Sequence, residues 1–173
     1  MNRKSPLIRI SPCGEIATSP QGAALPTEPS LMRSGGITVA TPWQAEVARA
    51  AGIDRILVAN EVVDSAGIRS VADATDHGTE IYCWVDSLEG VSALADGARD
   101  RPIRVLVEYG RPGGRTGARS IGDAQNVADA ARSDARLELC GVSGFEWTYG
   151  PDRSPEARRG VVDFLRQMEE LLA

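Results

Sequence analysis

The sequence is poor in the residues that most often carry covalent and acid–base chemistry. Lys4 is the one lysine and His77 the one histidine among 173 residues, and 18 of the 19 basic residues are arginine. A mechanism that needs a lysine Schiff base or a histidine base therefore has one candidate for each. Cysteine is scarce too: Cys13, Cys83 and Cys140 are odd in number and far apart. This excludes a disulfide framework and a CxxC metal clamp, and it favours a reducing, cytoplasmic location.

Other absences limit the partners. With 19 basic against 24 acidic groups the net charge is -5, so no basic excess is present to neutralise a phosphate backbone, and we expect no nucleic-acid partner. No apolar run approaches the roughly 18 residues of a membrane helix, and the N-terminus lacks a signal-peptide pattern, so we expect no membrane partner. What is present, 42% hydrophobic and 25% charged residues, is typical of one globular domain.

Two segments differ in pattern. Residues 1–35 are predicted to form an irregular N-terminal segment, because most of it is rich in Pro, Gly, Ser and Thr without periodicity. Residues 36–173 are predicted to form the folded domain, in which short β-branched runs alternate with Ala-rich amphipathic stretches. Strands are predicted at 36–40, 55–59, 80–85, 104–108 and 136–141. Helices are predicted at 42–50, from 64 or 65 to 76, 86–98, 123–133, and from 154 to the C-terminus. The last helix would place one apolar stripe against the core: Val161, Val162, Leu165, Met168, Leu171 and Leu172.

Five β–α units in succession predict an α/β fold with parallel strands and right-handed connections. Two architectures fit: an open doubly wound sheet, or part of a (β/α)₈ TIM-type barrel. A full barrel takes about 250 residues, so a barrel would be partial here. Such an arc leaves strand edges that must be covered, and a homodimer is a candidate assembly.

Both architectures collect functional residues where strands end. The polar residues at these positions are Thr41, Asn60–Glu61, Asp86–Ser87, the loop 109–119 and the loop 143–150. Capping of the following helix is the simpler explanation of Thr41 and Asp86–Ser87. Asn60–Glu61 is harder to explain in that way, because Asp64–Ser65 is better placed to cap.

The loop 109–119 (YGRPGGRTGAR) is the most informative of these positions. Its four glycines let backbone N–H groups approach an anion, and its arginines Arg111, Arg115 and Arg119 supply charged donor forks. It is not a P-loop, since GxxxxGK[ST] is absent. The loop therefore favours binding of an anion or a cofactor oxygen, with a solvated Gly/Arg turn as the alternative. The turn 141–147 (GVSGFEW) could hold a phosphate on its small residues.

These motifs carry a resemblance. The runs ITVATPWQAEVARAAGIDRILVANEVVD, VDS, VLVEYGRPGGRTGAR and GVSGFEW, in this order, resemble the family of D-threonine aldolase, D-serine dehydratase and related amino-acid deaminases. The resemblance implies an alanine racemase N-terminal-like barrel, pyridoxal 5'-phosphate as cofactor, and lyase or deaminase activity on small D-amino or hydroxy-amino acids. It implies that Arg115 lies near the phenolic oxygen of the cofactor and that Ser143 and Gly144 lie near its phosphate. Thr41, Asn60 and Asp86 would be walls of the same site.

The sequence departs from the family pattern in several places. The family holds its cofactor on a lysine in a motif like HGKTT, whereas the corresponding CGEIAT here has Glu15 at the lysine position, and Lys4 lies outside any matching motif. Phe145 and Trp147 stand where Tyr and Gly are expected. The family's metal-binding His/Cys pair, on a C-terminal domain, has no counterpart, and His77 is expected in a solvent-facing loop. We therefore expect a truncated chain without a metal site that is weakly active or inactive alone. The alternative is a non-catalytic pyridoxal-phosphate-binding α/β module.

Overall fold

The computed structural model describes residues 36–146, 152 and 154–172. The predictions made for residues 1–35, which include Lys4 and Glu15, and for Trp147 lie outside this part of the chain. Five strands alternate with five helices in the described residues. In chain order they are β1 (Ile37–Val39), α1 (Pro42–Ala50), β2 (Arg55–Glu61), α2 (Ser65–Asp76), β3 (Glu80–Val85), α3 (Leu88–Gly97), β4 (Ile103–Glu108), α4 (Ile121–Ser133), β5 (Leu137–Ser143) and α5 (Pro155–Leu171).

The strands form one parallel sheet in the order β1-β2-β3-β4-β5. In a doubly wound sheet the order reverses at a switch point, and no reversal occurs here. The sequential order is that of a (β/α)₈ barrel, of which the described chain forms a five-stranded arc. Of the two architectures that the sequence allowed, the partial barrel is therefore confirmed.

The two faces of the sheet have different surroundings. Alternate strand residues such as Ile56, Cys83 and Val105 are fully buried against the helices and form the main core. The opposite face, which lines the inside of the arc, carries a smaller apolar cluster of Leu57, Trp84 and Leu106. The near-continuous apolar character of the strands follows from this arrangement, because both faces are covered along their middle.

Below the inner cluster, at the strand starts, the inner face carries a row of alternating charges, which we call the charged row. Arg55 Nε lies 2.6 Å from Glu80 Oε2, and Arg104 Nε lies 3.2 Å from Glu138 Oε2 on the next pair of strands. The Arg104 guanidinium also lies 6.0 Å from the centre of the Tyr82 ring. Both ion pairs are partly exposed, so each stabilises the fold by at most about 1 kcal/mol.

Side-chain caps set the helix starts. Thr41, Asp64, Ser87, Ser120 and Ser154 each accept a hydrogen bond from a backbone N–H of the first turn. The fourth helix consequently begins at Ile121, two residues before the predicted start. The cap of α3 is Ser87, so the Asp86 carboxylate is available for another partner.

Two further predictions are corrected by the structure. Strands β2 and β5 run to Glu61 and Ser143, two residues past their predicted ends, so Asn60, Glu61 and Ser143 lie on strands rather than in loops. The apolar stripe of α5 is rotated from the predicted one: Phe164 is buried, whereas Val162, Leu165 and Leu172 are at least 40% exposed. The reason is that Phe164 finds an aromatic partner in Tyr109, with ring centres 5.7 Å apart. None of the described helices is both long enough and apolar enough to cross a bilayer.

Candidate functional site

The loop after β4 is tied to the neighbouring strands at the carboxyl-terminal rim of the arc. Arg115 Nη1 donates a hydrogen bond of 2.6 Å to Asn60 Oδ1, at the end of β2. Asn60 Nδ2 in turn donates to the carbonyl oxygen of Ala40, at 2.9 Å, just after β1. The Asn60 amide therefore has both ends occupied, and it orients the Arg115 side chain across the rim.

The rest of this loop folds on itself. Arg119 Nη1 donates to the carbonyl oxygens of Arg111 and Thr116, at 2.8 and 3.1 Å, so this arginine holds the loop rather than facing a ligand. Gly117 has φ +91, and a Cβ there would lie 2.5 Å from the backbone nitrogen of Gly110, so the close approach of the two loop ends requires glycine. The Gly117 N–H donates to Asp86 Oδ2 at 3.0 Å. This bond connects the loop to the end of β3.

An aromatic ring borders the Arg115 guanidinium. Its Cζ lies 6.0 Å from the centre of the Phe145 ring, within the range of a cation–π contact. A cavity of about 10 Å³ lies beside Arg115, Thr116 and Phe145. This volume is of the order of one water molecule. The described residues therefore form one wall of a site and not a closed pocket.

Ser143 and Gly144 are packed where β5 ends. Ser143 is buried, and its carbonyl oxygen accepts a hydrogen bond of 2.8 Å from the N–H of Tyr109. A Cβ at Gly144 would lie 2.4 Å from Phe164 Cζ and 2.7 Å from the Tyr109 carbonyl oxygen. The Tyr109 hydroxyl donates to Gln167 Oε1 at 2.8 Å. Helix α5 thus closes over this turn, and the small size of Gly144 is needed for that packing.

The predicted site residues are brought together to different degrees. Asn60 and Arg115 are in direct contact, and Asp86 is joined to their loop through Gly117. Thr41 Oγ1 accepts a hydrogen bond of 3.3 Å from the N–H of Gln44, so its visible role is the capping of α1. Ser143 and Gly144 belong to the adjoining end of the rim, where they contact the backbone of Tyr109.

Sequence reasoning missed one important residue, Glu108. Its side chain is only 2% exposed although it ends an apolar strand at the rim. Burial, and after it the contact with Glu61, raises the pKa of Glu108 to about 8, while the hydrogen bond of 2.7 Å that Thr116 Oγ1 donates to Oε1 opposes the shift. One signal was available in the sequence: Glu108 is an acidic residue at the end of an apolar strand pattern, immediately before the Gly/Arg loop.

A larger depression of about 460 Å³ lies on the outer, helical side of the arc. It runs between α3 and α4 and is lined by residues that include Leu88, Val91, Asp134 and Arg136. Because it lies between helices and away from the inner rim, it does not contribute to the site described above.

The fold and the rim together define the class of protein: the described chain is an arc of a parallel α/β barrel of the alanine racemase-like type. No protein-family model matches the chain. The sequence is 26% identical, over 136 residues, to 3-hydroxy-D-aspartate aldolase of Paracoccus denitrificans, a match that covers 76% of this chain and 35% of the aldolase.

Two solved structures of enzymes related to this aldolase superpose on the described arc. D-threonine aldolase from Filomicrobium marinum superposes with a TM-score of 0.72 at 23% identity, over 83% of this chain and 40% of that one. D-threo-3-hydroxyaspartate dehydratase from Delftia sp. HT23 superposes with a TM-score of 0.66 at 25% identity, over the same shares of the two chains. The resemblance to the D-threonine aldolase family and its pyridoxal-phosphate barrel is therefore confirmed. The chain spans about 35–40% of the length of these relatives.

Proposed function

We propose that this chain is the barrel part of a pyridoxal-phosphate-dependent lyase or deaminase that acts on small D-amino or hydroxy-amino acids. The observation that carries the proposal is the Arg115 side chain, which Asn60 holds across the rim of an aldolase-like arc. When bound, the cofactor supplies an electron sink for the α-carbon of the substrate. The chain's own contribution is to bind and orient that group.

The residues fit the phenolic side of the cofactor well. Arg115 is exposed, and a guanidinium has five N–H donors, of which the bond to Asn60 uses one. A planar cation with a fixed direction is suited to an anionic oxygen, and the Phe145 ring borders the guanidinium. We assign Arg115 to the phenolic oxygen and Asn60 to the orientation of Arg115.

The fit at the phosphate side rests on backbone rather than on side chains. Gly144 is packed against Phe164, so what this turn offers a phosphate is its N–H groups and the Ser143 hydroxyl. Thr41 and Asp86 are proposed as further walls. Because the cavity beside Arg115 has room for about one water, the ring must lie against the rim, with the other wall supplied from outside the described residues.

The described residues contain no lysine, so we propose that the amine for covalent attachment comes from Lys4 or from a second chain. Without it we expect weak or no turnover, and the chain would then serve as a non-catalytic pyridoxal-phosphate-binding module. A homodimer is proposed because β1 and β5 each have a neighbour on one side only within the described arc. A cytoplasmic location is proposed from the unpaired thiols of Cys83 and Cys140.

The test is an equilibrium titration of the full chain with pyridoxal 5'-phosphate, followed by absorbance, in the wild type, Arg115→Ala and Arg111→Ala. A lost charge-assisted hydrogen bond costs about 1.5–3 kcal/mol, so Arg115→Ala is expected to weaken binding at least about tenfold. Arg111→Ala, in the same loop, is expected to change it little. Equal effects of the two variants would refute the assignment of Arg115.

Borohydride reduction and peptide mapping separate the remaining alternatives. A reduced adduct on Lys4 would support the enzyme. Reversible binding without an adduct would support the non-catalytic module. Absence of binding would overturn the proposed function altogether.

A further inference from the structure

Three carboxylates from consecutive strands meet at the rim. Glu61 ends β2, Asp86 follows β3 and Glu108 ends β4. One carboxylate oxygen from each lies within 4.8 Å of the other two. Parallel pairing produces this meeting, because the strand ends lie side by side and a bulge after Val58 places Glu61 opposite Trp84.

Such a cluster needs compensation, because close carboxylates repel one another and a buried charge without a partner is costly. Two donors are visible: Thr116 Oγ1 bonds Glu108 Oε1, and the Gly117 N–H bonds Asp86 Oδ2. No ion pair joins any of the three acids to a basic side chain in the part of the chain that the structure describes. The Arg115 guanidinium adds a favourable charge at longer range, but it forms no ion pair with the cluster, so the carboxylates compete for few donors.

A second observation points to a ligand. The Glu108 side chain is 98% buried, as 2% of it is exposed, and its second oxygen, Oε2, is shielded from solvent without any hydrogen-bond partner. Glu61 Oε1 is shielded and unpartnered as well, and the two side chains contact each other. A buried acceptor that faces a second acceptor requires a positively charged or protonated species between them.

We propose that Glu61, Asp86 and Glu108 bind a hard divalent cation of the Ca²⁺ class at the rim, with water completing its coordination. The three ligand atoms are all carboxylate oxygens, which hard cations prefer, and no nitrogen or sulfur is among them. Three carboxylate oxygens within 4.8 Å of one another can share a Ca²⁺ ion, whose flexible shell takes 6–8 oxygens at 2.3–2.6 Å. Magnesium demands near-ideal octahedral geometry at 2.0–2.1 Å and gives up its water reluctantly, so it is less suited to three carboxylates fixed on separate strands.

The cation site would share Asp86 with the proposed cofactor wall but would take no part in covalent attachment, and the proposal does not depend on the proposed function. A cation there would fix the ends of β2, β3 and β4 relative to one another. It would thereby also hold the loop that carries Arg115, since Thr116 and Gly117 bond two of the three acids.

The experiment is isothermal titration of the full chain with CaCl₂ alone, after treatment with a chelator, and repeated with MgCl₂. We expect one Ca²⁺ per chain and weaker binding of Mg²⁺. Glu108→Gln keeps the shape of the side chain and removes its charge, and it should weaken Ca²⁺ binding at least about tenfold, which is about 1.4 kcal/mol. The exposed Glu89→Gln on α3 is the matched control and should bind as the wild type does.

Glu61→Gln, at a half-buried position, gives a second variant if Glu108→Gln does not fold, and it should show the same loss. Ca²⁺ binding that is absent, or that is undiminished in the glutamine variants, would overturn the proposal. In that case the infrared band of a protonated carboxyl group, lost in Glu108→Gln, would identify a proton shared by Glu61 and Glu108 as the compensating species. Pyridoxal-phosphate titrations carried out in chelator keep the two proposals distinguishable.

Discussion

Truncation of Phe164 tests how α5 is attached to the arc. The side chain is 2% exposed, and it stacks on Tyr109 with ring centres 5.7 Å apart and planes 10° from parallel. It also fills the space beside Gly144. Phe164→Ala removes these contacts and leaves a cavity, and comparable core truncations cost about 3–5 kcal/mol. Because a domain of this kind is stable by about 5–15 kcal/mol in total, the loss should be a large fraction of its stability.

The measurement is urea unfolding followed by circular dichroism, with the midpoint and the slope fitted separately. Val162→Ala and Leu165→Ala, on the same helix, are the matched controls, because these side chains are 46% and 40% exposed. Each should lower the free energy of unfolding by about 1 kcal/mol or less. If Leu165→Ala costs as much as Phe164→Ala, the buried side of α5 is the stripe that the sequence pattern predicted, and the packing described above is wrong.

Three further predictions concern other parts of the arc. Gly144→Ala should lower the free energy of unfolding in urea by about 1–3 kcal/mol, because the new Cβ would clash with the Phe164 ring and with the Tyr109 carbonyl oxygen. Gly122→Ala is the control and should not destabilise the fold in this way, because its nearest neighbour would be Ser120 Oγ at 3.8 Å. Burial raises the pKa of Cys83 to about 12, so in peptide mapping at pH 8 a thiol reagent should label it far more slowly in the folded than in the unfolded chain. The Arg136 side chain lowers the pKa of Asp134 in the folded chain to about 2, below the value near 3.9 in the unfolded chain. The ionised Asp134 therefore stabilises the fold above about pH 4, and this stabilisation is lost as the pH falls from about 4 to 2. The urea midpoint should decrease over this pH range in the wild type, and Asp134→Asn should remove this part of the decrease.

The sheet could be predicted from the sequence because its determinants are local. Runs such as ILV and VLV reveal strands covered on both faces, and the residues that cap each helix stand directly before it. The ends of β2 and β5 could not be predicted. Glu61 and Ser143 are polar, and they remain in the sheet because they pair with Trp84 and Glu108 on neighbouring strands, which are contacts between residues far apart in the chain. Asn60 lies in the bulge between the paired residues Val58 and Glu61.

The grouping of the candidate site residues at one rim was predictable, but their individual contacts were not. Parallel strands bring their carboxyl ends to one edge, so the grouping of Asn60, Asp86 and the Gly/Arg loop follows from the fold class. The fold class does not reveal which arginine of the loop reaches a neighbouring strand. Arg115 and Arg119 are only four residues apart, and the conformation of the loop backbone decides that Arg115 contacts Asn60 whereas Arg119 bonds the loop itself. The burial of Glu108 depends on the packing of the loop above it, and α5 contributes Phe164 to the same rim through contacts that no local pattern encodes.

The charged row has a consequence for the order in which the strands assemble. An arc in which β3 and β4 exchanged places would set Arg55 beside Arg104 and Glu80 beside Glu138, replacing two attractive pairs by two repulsive ones. Like charges on adjacent strands destabilise their pairing, so the correct neighbours are favoured by electrostatics as well as by connection length. Although each ion pair adds little to the stability of the fold, the row as a whole favours this order of strands over the exchanged one.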